Sequence, residues 1–187
     1  MGRVYKMKAL CLVAHPDDCV IFGWGFMRQY AEWDWTIAYL TYEENHPRAL
    51  ELSEFWIKRN VSTIFGGAND SYAMVLVGQL GFDANEYTDW INNVIADYDI
   101  ILTHNHLGEY GHPHHKFINS VVSLSNKPIV YFGNHPEYVN HYILETEKVN
   151  LKELPLHKNV IESIDKSVYK YYITDKAKPF IRNETAI

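Results

Sequence analysis

A three-layer α/β fold, with a mainly parallel sheet covered by helices on both faces, is what this sequence predicts. Three observations predict it. Short apolar runs such as KALCLVA (8–14) and YDIILTH (98–104) read as strands buried on both faces. These runs alternate with helix-like stretches almost throughout the chain. Two polar clusters, HPDD (15–18) and THNHLGEYGHPHHK (103–116), begin where predicted strands end, and ligands sit at the carboxyl ends of strands in such sheets.

The elements follow in order. After the first strand (8–14), VIFGWGFMRQYAE (20–32) predicts a helix, and WTIAYLTY (35–42), rich in aromatic and β-branched residues, a second strand. Pro47 is placed to open a helix over 48–60. VSTIFGG (61–67) predicts a third strand, stopped by its two glycines, and 85–97 a helix. The fourth strand is 98–104, and Pro113 opens a helix over 113–123. KPIVYFGN (127–134) and HYILET (141–146) predict further strands, and 155–172 a closing helix.

The 187 residues suit one domain, 1–187, with a substantial core. Apolar residues at 47% and charged residues at 21% belong to a globular chain rather than a disordered one. A net charge of −6 and the lack of any dense Lys/Arg block argue against nucleic-acid binding. No apolar stretch approaches the ~18 residues of a membrane span. The start, MGRVYKMKALCLVAHPDD, has no signal-peptide h-region, and Lys6 stands where a myristoylation signal wants Ser or Thr. The two cysteines, Cys11 and Cys19, form no metal or disulfide pattern, and a reducing cytoplasm fits them. The 14 tyrosines and 5 tryptophans suit bulky packing or stacking on sugar rings or bases. Aromatic surface is also compatible with a homo-oligomer.

The second polar cluster holds five of the ten histidines: His104, His106, His112, His114 and His115. Imidazole nitrogen and carboxylate oxygen together match a zinc site, and a catalytic zinc uses three protein ligands plus water. One His and one Asp from the first loop with one His from the second would make such a set. Zinc brings the pKa of its water to about 7. A spare carboxylate can then take a proton, and a spare histidine can stabilise an oxyanion. Two His and one carboxylate also suit iron(II). A dinucleotide-binding loop is disfavoured, because HPDDCVIFGWG replaces G-x-G-x-x-G after the first strand.

AHPDD after the first strand and GEYGHPHH after a later one resemble the LmbE-like or PIG-L family, over residues 8 to about 125. The resemblance implies a Rossmann-like fold and a zinc-dependent deacetylase of N-acetylglucosamine-type conjugates, a small-molecule amino-sugar substrate. It implies His15, Asp18 and His115 as ligands of one Zn2+ per chain, Asp17 as general base and His112 as the oxyanion-stabilising residue. Arg48 and Glu51, in RALE, match the family's R-x-x-E, whose Arg helps hold substrate. Asn105 and Glu109 are further candidates to touch substrate, and Glu109 equally suits a solvated position; His104 and His106 read as structural or pocket-rim residues. Three departures stand out. Cys19 replaces the family's Glu after the two aspartates. His114 replaces an Asp, removing a negative charge near the metal. It then reads as a substrate-facing donor, an extra ligand, or a histidine facing solvent or supporting the ligands from behind. KNVIESIDKS (158–167), with Asp165 near the family's late His, replaces a His-Ser-Gln-like element. The compact chain and altered late helix keep another acylated amine, such as a modified nucleoside or antibiotic intermediate, as an alternative substrate. A non-catalytic binding module on the same fold is the remaining alternative.

Overall fold

The structure, a computed structural model, describes residues 6–133, 142–164 and 168–182. Among the described residues, β1 (Lys8–Val13) is the third strand of a seven-stranded sheet, beside its central strand. It pairs in parallel with β2 (Asp34–Thr41) on one side and β4 (Ile100–Thr103) on the other. β3 (Ser62–Ala68) extends the sheet beyond β2, and β5 (Ile129–Phe132) extends it beyond β4. The order is β3-β2-β1-β4-β5, continued by β7 (Val168–Ile173) and then β6 (Tyr142–Glu145), which are antiparallel to their neighbours.

Side chains alternate across β1. Ala9, Cys11 and Val13 enter one core; Leu10, Leu12 and Ala14 enter the other. The first core is aromatic. It is covered by a π-helical turn (Cys19–Gly23), α1 (Trp24–Gln29), α2 (Pro47–Ile57) and α7 (Lys158–Ile164). The second is aliphatic, beneath α4 (Ala84–Ile95) and α6 (Pro113–Val122). Both cysteines are buried and free. No helix among the described residues is long and apolar enough to cross a membrane.

The closing helix predicted over 155–172 is corrected. Among the described residues of that span, Lys158–Ile164 is helical and Val168–Ile173 is β7. Along VYKYYI, Tyr169 and Tyr171 are buried while Val168 and Lys170 are exposed, the two-residue period of a strand. The third strand is not stopped by its glycines. It runs through Gly66 and Gly67 to Ala68, and Gly66 lies so close to the Leu40 carbonyl that a Cβ would sit 2.8 Å from that oxygen. The short helix α3 (Tyr72–Leu76), which has no buried residue, and the kinked turn α5 (Gly108–Gly111) carry no periodicity that could announce them. Asn134, His135, His141 and Asp165 lie outside the described residues.

β7 fixes α1 closely. The Tyr171 hydroxyl donates to the Phe22 carbonyl at 2.8 Å and accepts from the Phe26 amide at 3.0 Å. A Cβ on Gly25 would lie 2.7 Å from the Tyr169 ring. Gly25→Ala is expected to destabilise the fold by about 1–3 kcal/mol through overpacking, read as a lower denaturant midpoint.

Candidate metal centre and its cleft

β1 and β4 are neighbours whose following connections leave in opposite directions across the sheet, so a crevice opens at their carboxyl ends. The first loop folds back on itself there. Asp18 Oδ2 accepts the His15 backbone N–H at 2.8 Å, which brings the same oxygen to 3.2 Å from His15 Nδ1. Asp18 makes no side-chain cap on the helix that follows, so its carboxylate is free to face the crevice. His112 caps α6, its Nδ1 accepting from the His114 amide at 3.2 Å, and Pro113 opens the helix. That start aims His115 inward, with Nε2 3.2 Å from Asp18 Oδ2 and 3.3 Å from His15 Nδ1.

His15 Nδ1, Asp18 Oδ2 and His115 Nε2 therefore form a nearly equilateral triangle with sides of 3.2, 3.2 and 3.3 Å. Tetrahedral ligands about 2.0–2.1 Å from an ion are spaced about 3.3 Å apart. All three residues are buried. The donor types and their spacing fit a divalent metal.

The tautomers are set from behind. Glu109 Oε2 accepts from His115 Nδ1 at 2.6 Å and from His104 Nδ1 at 2.8 Å. This leaves His115 Nε2 with a bare lone pair. His114 Nε2 donates to the Leu80 carbonyl at 2.8 Å, so its Nδ1 is an acceptor for His15 Nε2–H at 3.2 Å. His15 Nδ1 is then the nitrogen that the neutral ring leaves bare. Burial lowers the His15 pKa, but hydrogen bonds to Asp18 and Asp70 outweigh it and carry it up to about 9, so a metal ion would have to displace a proton from this ring. Burial likewise raises Glu109, but His104 and His115 bring it down to about 2. Asp18 is held well below the usual carboxylate range, the surrounding imidazoles outweighing burial.

Glu109 has φ 56° and ψ −63°, a conformation that costs a non-glycine residue energy and concentrates at functional sites. Its carboxylate is spent on two histidines and the Asn105 amide rather than offered to substrate or water. Glu109→Gln, which loses the charge and turns an NH2 toward either the imidazoles or the Asn105 backbone N–H, is expected to weaken metal affinity 10–100-fold, measured by competition with a chelating dye.

In front of the triangle lies a cleft of about 420 Å³ whose polar lining includes Asp17, Arg48, Asp70 and His112. Burial and the charge of Asp18 raise the Asp17 pKa, and Arg48 Nη2 stands 3.3 Å from Asp17 Oδ2. Burial and the neighbouring His15 and His115 lower His112 to about 3. It is neutral, and because Nδ1 accepts the cap bond, Nε2 carries the proton.

Arg48 is held by three partners. Nη2 meets Asp17, Nη1 donates to the Tyr42 hydroxyl at 3.1 Å, and Nε donates to His157 Nε2 at 3.1 Å. Glu51 fixes His157 from the far side, accepting from its Nδ1 at 2.6 Å. The two ends of R-x-x-E thus clasp one buried histidine from just before α7.

Of the residues expected to face substrate, Arg48 lines the cleft, while Glu51 turns to His157 and the Leu156 amide. Asn105 is spent inside the fold. Its amide donates to the Phe132 carbonyl, and its oxygen accepts from Leu107 and Glu109. His114 is wholly buried, so it does not face solvent. His104 is also wholly buried, accepting the Ala14 N–H at 3.1 Å and stacking on His115 with centroids 3.8 Å apart. Nothing in the sequence announced the parts played by Glu109, Asp70, Tyr42 and His157. For Asp70 the one available signal is its place, two residues past the carboxyl end of β3.

No family model matches the chain. A curated relative, the uncharacterised protein L374 of Acanthamoeba polyphaga mimivirus, is 24% identical over 97% of this chain and 83% of its own. Solved structures share the fold. The A40926 pseudoaglycone deacetylase Dbv21 superposes with a TM-score of 0.56 at 14% identity, covering 86% of this chain and 81% of that one. A deacetylase of teicoplanin biosynthesis, solved with teicoplanin, gives 0.54 at 12% identity over 90% and 100%. GalB, the 4-carboxy-2-hydroxymuconate hydratase of Pseudomonas putida KT2440, gives 0.54 at 15% identity over 74% and 72%.

Proposed function

We propose that this chain is a zinc-dependent hydrolase that removes the acetyl group from an N-acetylated amino sugar of the N-acetylglucosamine-conjugate type. The observation that carries the reading is the His15–Asp18–His115 triangle beside a carboxylate of raised pKa, Asp17, and a neutral imidazole donor, His112. Two fold neighbours are deacetylases, one of teicoplanin biosynthesis and one of the A40926 pseudoaglycone. The third is a hydratase, so the fold alone does not fix the reaction and the side chains of the site must.

The metal, when bound, would polarise the acyl carbonyl and acidify a water molecule. Asp17 receives the proton of the attacking water; its raised pKa brings it nearer the working pH, as a general base requires. Arg48 holds the Asp17 carboxylate in place. His112 offers Nε2–H to the oxygen on which negative charge grows. The proton gathered at Asp17 then leaves with the amine.

The cleft also has apolar walls, among them Ile21, Phe22, Tyr72 and Val75. They favour a second reading within the same chemistry, an acylated amine that carries an apolar group, such as a modified nucleoside or an antibiotic intermediate. Acetate release from a panel of N-acetylated amino sugars, their conjugates and N-acylated nucleosides tests both. Chelator-sensitive release from sugar substrates is expected. Release confined to non-sugar amides would favour the second reading. No release from any amide by zinc-loaded protein would overturn both and leave a binding module.

A further inference from the structure

The two histidines of the metal triangle are supported unequally if only the two main loops are considered. His115 has Glu109 behind it at 2.6 Å. His15 has His114 behind it, a neutral acceptor, at the position where the resembled family carries an aspartate. A carboxylate does approach the same nitrogen of His15 from another connection. Asp70, on the connection after β3, places Oδ1 3.4 Å from His15 Nε2, the nitrogen turned away from the triangle. Its other oxygen accepts from the Tyr42 hydroxyl at 3.0 Å, and Tyr42 accepts from Arg48. Asp70 is therefore held from two sides, and its side chain is three-quarters buried, at 24% exposure. Tyr42 pays for this placement with φ 65°, unusual for a bulky residue.

We infer that Asp70 is the positioning carboxylate of the metal site: beside His114 it shares His15 Nε2–H, fixes the ring with Nδ1 toward the metal, and strengthens His15 as a ligand. The inference rests on the metal-site reading above. A metal-bound imidazole polarises its remote N–H, and a carboxylate on that N–H makes the ring a better donor. Asp70 thus does for His15 what Glu109 does for His115. The Asp70–Tyr42–Arg48–Asp17 chain also ties the position of the base to that of a ligand across the mouth of the cleft.

The test is zinc affinity by chelator competition at one pH, with stoichiometry and metal-free melting temperature, for wild type, Asp70→Asn and Asp70→Asn with His114→Asp. Asp70→Asn is expected to bind one zinc 10–100-fold more weakly with an unchanged metal-free melt. His114→Asp, which returns a carboxylate to the same N–H, is expected to recover most of that loss. Equal affinity in wild type and Asp70→Asn overturns the inference and leaves the metal site standing. A loss that His114→Asp does not reverse, with a lowered metal-free melt, makes Asp70 a fold residue and also overturns it. Two zinc ions per chain, falling to one in Asp70→Asn, would overturn it in favour of Asp70 as a ligand to a second ion with His15 and His114. Wild type that takes up no zinc overturns the metal-site reading itself.

Discussion

Asp18→Ala is expected to fold and to retain no zinc. Wild type purified without added metal should carry about one ion per chain, and the variant none after passage over a chelating resin. The reason is the crowding of contacts on one oxygen. Asp18 Oδ2 lies 3.2 Å from His15 Nδ1, 3.2 Å from His115 Nε2 and 2.8 Å from the His15 amide that shapes the loop. The variant loses a ligand, and with it the bond that holds a second ligand in register. It also leaves a buried N–H unpaired, at a cost of about 1–3 kcal/mol. That cost has a pH signature in the metal-free protein. Asp18 is held well below the usual carboxylate range. A carboxylate with a depressed folded pKa contributes stability above its unfolded value, near 4, and the contribution fades as pH falls toward the folded value. The stability gap between wild type and variant should therefore be widest near neutrality and narrow below about pH 4. Metal retained by Asp18→Ala at wild-type stoichiometry would remove Asp18 from the ligand set.

What the sequence disclosed depended on how local each signal was. HPDD and GHPHH each follow a short strand, and β1 and β4 are parallel neighbours, so their loops had to meet. Helix α6 was legible because Pro113 stands at its first position; the cap by His112 appears only in the structure. β7 was not, because VYKYYI follows a helix-like stretch and its alternation becomes decisive only when Tyr171 is seen paired with Phe132 and Tyr142. The supporting groups are non-local in the same way. Arg48 and His157 are 109 residues apart, and no spacing rule joins them. Asp70 belongs to neither polar cluster, and its role appears only when β3 is placed next to β2. Glu109 stood inside the second motif, yet its burial against two imidazoles depends on a positive φ that composition does not reveal.

Asp17→Asn is expected to keep its zinc and lose catalysis by about 10²–10⁴-fold in kcat. Asparagine has the shape of aspartate and still offers an oxygen to Arg48, which stands 3.3 Å from Asp17 Oδ2, so the cleft should keep its form and KM should move little. It cannot receive a proton. The pH profile separates this explanation from a structural one. Burial and the charge of Asp18 raise the Asp17 pKa, so the acid limb of the wild-type kcat profile should lie above the usual carboxylate range. Residual activity of the variant should lack that limb. His112→Ala provides the contrasting case: it removes a hydrogen-bond donor from the developing oxyanion and leaves the base, so the rate should fall while the acid limb stays. An Asp17→Asn enzyme with wild-type kcat and an unchanged limb would take the proton away from Asp17, and the raised pKa at that position would then reflect its burial beside Asp18 alone.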